Sequence, residues 1–388
     1  MRIGISTSVI QRGKTGIAQY LFALLRAFLP YANENEFVLF VLEEDLPLFD
    51  FAKNKMRIIP VAERFRTPVK NILWHQRALG RLARDLQLDV LHVPSYRRML
   101  WSGPCPLVAT IHDLAPFRVP KKYSPARMFY GRVIARRLAR RQDAVIAISE
   151  NTARDVREFF DVSPGRISII HNGLEHDRFF PGSREQAQAE IAQRHKLHAP
   201  FFLYVARLEH PAKNHVRLIS AFNNFKSRTR SDWQLVFGGS DWHGAEAIHS
   251  AARQSPFATD IRFLGFVADD DLPNLYRAAE LFVYPSLYEG FGMPPLEAMA
   301  CGCPVICSPR GSLGEIVGAA AALVDPEEVD SMAKQLSLLA KDANLREHFR
   351  QAGLARAQNF DWNRTAAETL SLYARIGQTA EKKLSIPR

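Results

Sequence analysis

Two carboxylates, Glu289 and Glu297, stand eight residues apart in the run Tyr288–Gly302. Were most of that span helical, they would sit roughly 12 Å apart along the axis. A retaining glycosidase pair needs about 5–5.5 Å. The spacing therefore suits two separate hydroxyl-binding groups better than an acid and a nucleophile. Gly290 and Gly292 let the backbone approach a ligand closely. Pro294 or Pro295 suits a first helical position, and Leu296–Ala300 continues a helix. An apolar strand, Leu281–Tyr284, precedes the run. Strand, tight loop and helix N-terminus together offer N–H groups and a positive dipole end to an anion or a hydroxyl-rich sugar.

Cations come from the run Val205–Asn214, where Arg207 and Lys213 follow another strand. An Arg fork and a Lys point charge can neutralise a diphosphate. Charge that builds on a leaving nucleotide is then stabilised more in the transition state than in the ground state. The run Thr7–Ala18 joins the first strand to the first helix and carries Gly13 and Gly16. It is neither a P-loop nor GxGxxG, yet a glycine-bearing loop at a helix start can hold phosphate. His112 and Asp113 follow an apolar strand, and Asp113 either orients the ring or caps a helix or loop. Asp269–Asp271 contains a formal DxD, but it opens a helical pattern, and acids there complement the helix dipole. The reading is helix capping, with no metal site and no cofactor.

Short apolar strands alternate with helical patterns, the mark of βαβ units and parallel sheets. Strands are expected at Arg2–Ser6, Phe37–Leu42, Arg57–Pro60, Val90–His92, Pro106–Ile111, Ala144–Ile148 and Ile167–Ile170, with helices over Gly16–Phe28 and Trp74–Leu86. A polar Ala/Gln-rich stretch at 181–198 interrupts the alternation. It resumes at Phe201–Val205, Gln234–Gly238, Ile261–Phe263, Leu281–Tyr284, Pro304–Cys307 and Ala322–Val324. The 388 residues suit two domains. The expected division is 1–180, 181–360, and a tail 361–388 with an amphipathic helix over Asp361–Ile376.

The Glu-x7-Glu spacing of Glu289 and Glu297 resembles the signature of the family-4 retaining glycosyltransferases, and the likeness runs along nearly the whole chain. It implies an α/β GT-B fold: two Rossmann-like domains with parallel sheets facing across a cleft, and a C-terminal helix returning to the first domain. By resemblance, Glu289 contacts the donor sugar and Glu297 the ribose. The backbone of Phe291 and Gly292, with Met293, faces sugar and phosphates. Arg207 and Lys213 match the family's Arg…Lys pair, although Ala206 stands where Gly is usual and the loop is one residue longer. Gly16 lies by the reacting centre and His112 beside the donor sugar. Gly238, Phe266 and Val267 fall where the nucleotide base lies. The wording of Gly290–Glu297 is similar to bacterial mannosyl- and rhamnosyltransferases of polysaccharide assembly. The implied activity is metal-independent transfer of a sugar, mannose from GDP-mannose first, to a saccharide or polyprenyl-diphosphate-linked acceptor. The expected mechanism is front-face displacement, in which the leaving diphosphate takes the acceptor's proton. A nucleotide-sugar epimerase is the rival within the same fold.

Residues 1–180 hold 28 Lys and Arg against 17 Asp and Glu, while residues 181–388 hold 23 of each. The whole net charge of +11 thus lies in the first half, which points to an acidic partner. Lys121–Arg141 contributes eight cations and no acid. Arg132, Arg136 and Arg140 share one helical face, with Tyr130, Val133, Ile134 and Leu138 opposite. The expectation is a surface helix on anionic lipid. A nucleic-acid-binding protein is the alternative of another class, but no basic stripe with interleaved aromatics supports it. Cys105, Cys301, Cys303 and Cys307 form no CxxC pair, no signal peptide is evident, and no stretch is long enough to span a bilayer. The expected setting is cytoplasmic, peripheral on the inner face of the cytoplasmic membrane.

Overall fold

A computed structural model describes residues 1–13, 15–119 and 128–384. Lys14 of the first glycine loop and Lys121, Lys122 and Arg127 of the basic segment lie outside the described residues. The chain forms two compact units. The first is Met1–Gly173 with Asp361–Arg388, and the second is Leu174–Phe360. The sequence expectation put the first boundary at 180/181; the chain passes between the units at 173/174 and again at 360/361.

The first unit holds a seven-stranded parallel sheet: β1 Arg2–Ser6, β2 Glu36–Leu42, β3 Arg57–Val61, β4 Val90–Val93, β5 Leu107–Ile111, β6 Ala144–Ala147 and β7 Ile167–Ile169. Its order is β3-β2-β1-β4-β5-β6-β7. β1 pairs with β2 on one side, Ile3 opposite Phe37, and with β4 on the other, Ile3 opposite Val90. The order therefore reverses at β1. Strands such as β4 and β5 are buried at every residue, as a sheet covered on both faces requires. The helix Gly16–Phe28 begins where the sequence places it, because Thr15 accepts a hydrogen bond from the Ala18 N–H at 3.2 Å. The final helix, Trp362–Leu384, runs longer than expected. Its Trp362, Ala366 and Tyr373 recur at helical spacing and join the core with Tyr20, Leu24 and Phe28.

The second unit holds six parallel strands: β8 Phe201–Val205, β9 Gln234–Gly238, β10 Ile261–Gly265, β11 Leu281–Tyr284, β12 Val305–Cys307 and β13 Ala322–Leu323. The order β10-β9-β8-β11-β12-β13 reverses at β8, the counterpart of the reversal at β1.

Several expectations need correction. The polar stretch at 181–198 is no break. It contains the helix Arg184–His195, capped by Ser183, and its apolar signal is only Ala187 and Ile191. Helical structure expected from Trp74 starts at Pro68, with proline in the first turn; exposed Val69 and Leu73 hide the pattern. Asp271 occupies an N-cap position, but its side chain does not cap. It pairs with Arg194, and Asp269 pairs with Arg178 at 3.2 Å. In the basic segment a π-helical turn, Tyr130–Ala135, shifts the face that packs. Gly131, Ala135, Leu138 and Ala139 are buried, while Ile134 is exposed. The outer ridge is Phe129, Arg132, Arg136 and Arg140. No described helix is long and apolar enough to cross a membrane.

Candidate active site

In open parallel sheets ligands bind beyond the strand C-termini, where the order reverses. In the second unit that place lies beyond β8 and β11. The loop after β8 carries Arg207 and Lys213, and the loop after β11 carries Glu289. The two loops are tied together: the Leu287 N–H donates to Ala212 O at 3.0 Å, and Asn214 Nδ2 donates to Pro285 O at 3.0 Å. Ser312 holds the second loop in place, its Oγ donating to Glu289 O at 3.0 Å and to Phe291 O at 2.7 Å. Gly311 is at φ +64°, and a Cβ there would meet Glu289 O at 2.5 Å. Glycine is thus required beneath the loop.

The side chains converge. Lys213 Nζ lies 2.5 Å from Glu289 Oε1, and Tyr284 OH donates to the same oxygen at 3.0 Å. Burial works to raise the Glu289 pKa. The Lys213 ammonium, with hydrogen bonds from Lys213, Ser286 and Tyr284, outweighs it and holds the carboxyl below its usual range. Tyr204 OH donates to Lys213 O at 2.6 Å and fixes the lysine's backbone. Glu297 belongs to a separate contact: Tyr276 OH donates to its Oε2 at 2.9 Å, and burial pushes its pKa up to about 7. Gly292, at φ +112°, precedes the helix Met293–Ala300, so Met293 takes the first helical position expected for a proline. No side chain caps this helix, and because Pro294 and Pro295 carry no N–H, its first N–H is that of Met293.

Arg207 does not join Lys213 in that cluster. Its guanidinium lies 3.8 Å from Glu209 and 4.8 Å from the centre of the Trp242 ring, and the side chain is 57% exposed. Nearby, Gly238 ends β9 and Gly239 follows at φ +145°, where a Cβ would meet Ala206 O at 2.0 Å. The Gly239 N–H donates to Gly265 O at 2.7 Å. Three backbone segments therefore meet in a glycine-lined recess. Val267 packs against Gly238, and Phe266 is 76% exposed at its rim.

In the first unit His112 follows β5. The backbone of Pro94 hydrogen-bonds its ring, and Tyr20 packs edge-on at 4.7 Å. Burial lowers its pKa to about 4, against the opposing charge of Asp113, so the imidazole is neutral. Its Nε2 has no partner among the described residues. Of the two roles expected for Asp113 the structure shows the capping one: its Oδ1 accepts from the Ala115 N–H at 3.0 Å and closes a turn. Behind His112 runs a buried relay. Tyr20 OH meets Thr110 Oγ1 at 3.3 Å, Thr110 meets His92 Nε2 at 2.8 Å, and His92 Nδ1 meets Tyr373 OH at 2.6 Å. Gly16 opens the helix Gly16–Phe28, with nothing within 4 Å of a Cβ placed on it.

The sequence reading missed Tyr204, Tyr276 and Tyr284, which fall in apolar strands and helices and read as core. The signal was the phenol itself, since buried tyrosine hydroxyls seek a polar partner.

The family description "Glycosyltransferase Family 4" matches residues 15–178, and "Glycosyl transferases group 1" matches residues 186–356. The chain is 31% identical to a D-inositol 3-phosphate glycosyltransferase of Corynebacterium efficiens, over 75% of this chain and 70% of that one. The chain belongs to the family-4 glycosyltransferases. This glycosyltransferase is also 29% identical to the O-antigen chain mannosyltransferase B of Escherichia coli, over 96% of its own length and 99% of the relative's. Its fold is that of a sucrose-phosphate synthase from Thermosynechococcus elongatus, with a TM-score of 0.78, 20% identity, and coverage of 98% and 100% of the two chains. It is an enzyme of the GT-B fold, as the resemblance implied.

Proposed function

We propose that this glycosyltransferase moves mannose from GDP-mannose, with retention, to a saccharide or lipid-linked saccharide in cell-surface polysaccharide synthesis. The observation that carries the reading is the Lys213–Glu289–Tyr284 cluster beside an uncapped helix start at the sheet's reversal. An ionised carboxylate suits sugar hydroxyls, and an ammonium beside N–H groups suits a diphosphate. Arg207 is exposed, and long enough to swing toward the same charge. Glu297 is assigned to the ribose, and the recess of Gly238, Phe266 and Val267 to the base. In the first unit, His112 and Gly16 are assigned to the donor sugar and the reacting centre, and the unit binds the acceptor. In the displacement the departing diphosphate takes the acceptor's proton while Lys213, Arg207 and backbone N–H groups hold its charge. No metal or cofactor takes part in this scheme. The near-full-length likeness to an O-antigen mannosyltransferase supports mannose and polysaccharide. The enzyme works from the cytoplasmic side, with the basic segment resting on anionic lipid.

A thermal-shift screen of GDP-, UDP- and dTDP-sugars tests the donor, because a ligand of the native state raises the melting temperature. Protection by GDP-mannose above the others is expected. Protection by a UDP-sugar alone would replace the donor, and protection by none would sink the reading.

A further inference from the structure

The first sheet reverses between β1 and β4, and there a cation, Arg98, has no counter-charge among the described residues. Arg98 follows β4 and is half-buried. Its Nε donates to Asn71 Oδ1 at 2.5 Å and its Nη1 to Arg97 O at 3.2 Å. Among the described residues no carboxylate pairs with it; burial lowers its pKa against the opposing effect of Tyr130, and Arg97 adds to the lowering. Comparable arginines of the same unit are neutralised. Arg66 pairs with Asp45 and Glu63, and Arg118 with Asp155 and Glu158. Taking a charge out of water without a counter-charge is costly.

Asn71 adds a second deficit. It is 1% exposed, and its Nδ2 has no hydrogen-bond partner among the described residues. The amide cannot be turned over to cure this, because its nitrogen would then face the Arg98 donors. The residue is held firmly. His75, one helical turn on, donates from Nδ1 to Asn71 O (2.7 Å), and its Nε2 accepts from Ser6 Oγ (2.9 Å). An orphaned amide N–H and an unneutralised guanidinium edge thus lie side by side, beyond the strand ends where such sheets take ligands.

We propose that Arg98 binds an oxyanion, a phosphate or carboxylate group, carried by the acceptor, and that Asn71 is its positioning residue. This rests on the reading of the first unit as the acceptor side. With Nε on Asn71 and one Nη1 N–H on Arg97 O, the guanidinium keeps Nη2 and the second Nη1 N–H for bonds to oxygen. A neutral saccharide would leave the cation uncompensated; an acidic sugar or a phosphorylated acceptor completes the pair.

Titration of the full chain with inorganic pyrophosphate, and separately with glucuronate, tests this by thermal shift. Pyrophosphate also suits the diphosphate site, so only protection that Arg98→Gln removes counts. Wild type should bind one of the two anions at least about tenfold more tightly than Arg98→Gln, the scale of a charge-assisted hydrogen bond. Arg98→Lys, which keeps charge but loses the fork, should fall between. Asn71→Asp supplies an internal carboxylate, so it should abolish the anion effect while holding or raising the melting temperature in buffer. Dependence on Arg98 with pyrophosphate assigns a phosphate, and with glucuronate a carboxylate. Wild type and Arg98→Gln titrating alike with both anions would overturn the proposal. Nucleotide-sugar protection is a separate readout carried by the other unit, so its absence in wild type would sink the donor assignment and not this one.

Discussion

Lys213 and Glu289 face each other at 2.5 Å, each side chain only about 15% exposed. A pair so placed cannot lose one member cheaply, because the survivor keeps its desolvation cost. Lys213→Ala should therefore lower turnover by about two powers of ten or more. It should also lower stability, by up to roughly 3 kcal/mol. Adding Glu289→Gln to Lys213→Ala should recover part of the stability and none of the turnover. Arg207→Ala, at an exposed site, should cost turnover at unchanged melting temperature. Near-normal turnover in both single cation variants would refute the diphosphate clamp.

Chelation gives a second prediction. If Lys213, Arg207 and the helix start at Met293 supply all the positive charge, EDTA should leave turnover intact. Asp269 and Asp271 are engaged by Arg178 and Arg194. Activity lost to EDTA and restored by Mn²⁺ or Mg²⁺ would assign them, or another acid group, to a metal.

Glu297 gives a pH prediction. Its carboxyl is pushed up to about 7 in the folded enzyme, against 4.5 for the ordinary group. Between those values the folded chain holds more protons than the unfolded one, so this group's contribution to stability is present below pH ~4.5 and is lost as pH rises through about 7. Glu297→Gln should flatten that part of the stability profile and gain most relative to wild type near pH 8. Parallel profiles for the two proteins would show that the carboxyl titrates normally.

Peripheral binding gives a fourth. Phe129 is 64% exposed on the same ridge as Arg132, Arg136 and Arg140. Asp161 lies 3.3 and 3.7 Å from Arg136 and Arg140 and offsets only part of the ridge's charge. A surface cavity lined by Arg140, Arg157 and Arg166 extends the positive area. Co-sedimentation with anionic vesicles should be strong at low salt and weak at 1 M, where the Debye length falls to about 3 Å. Changing Arg132, Arg136 and Arg140 to Glu should abolish it. Equal, negligible binding to neutral and anionic vesicles at low salt would refute membrane attachment.

The central strands, such as β4, β5, β8 and β11, were readable as short apolar runs that are almost wholly buried, and the helix Gly16–Phe28 because Thr15 announces it. The loops around Glu289 and Lys213 were readable from glycine, proline and charge in one stretch. What stayed hidden depends on neighbours far away in the chain. The hold of Ser312 on the Glu289 loop spans 23 residues, and the contact of His92 with Tyr373 spans 281. Neither has a local pattern. The basic helix misled because a single wide turn at Tyr130–Ala135 rotates every later residue relative to a regular 3.6-residue count. Arg98 was invisible for another reason: one more arginine in a basic half looks ordinary until its lack of a carboxylate is seen.

The second unit is entered at Leu174 and left at Phe360, and these ends are neighbours: the Leu174 N–H donates to Phe360 O at 3.3 Å. On the other side of the junction Gly173 lies so near Trp362 that a Cβ would stand 2.2 Å from its backbone nitrogen. In topological terms the second unit is an insertion into a continuous first one, with its entry and exit sealed together. Such a piece can be excised as a cassette, the gap being closed by a very short linker, and a foreign cassette can be grafted in its place. If the second unit binds the donor as proposed, donor preference would be a portable trait, exchanged between relatives by recombination at 173/174 and 360/361, while the first unit and its closing helix are inherited as one body.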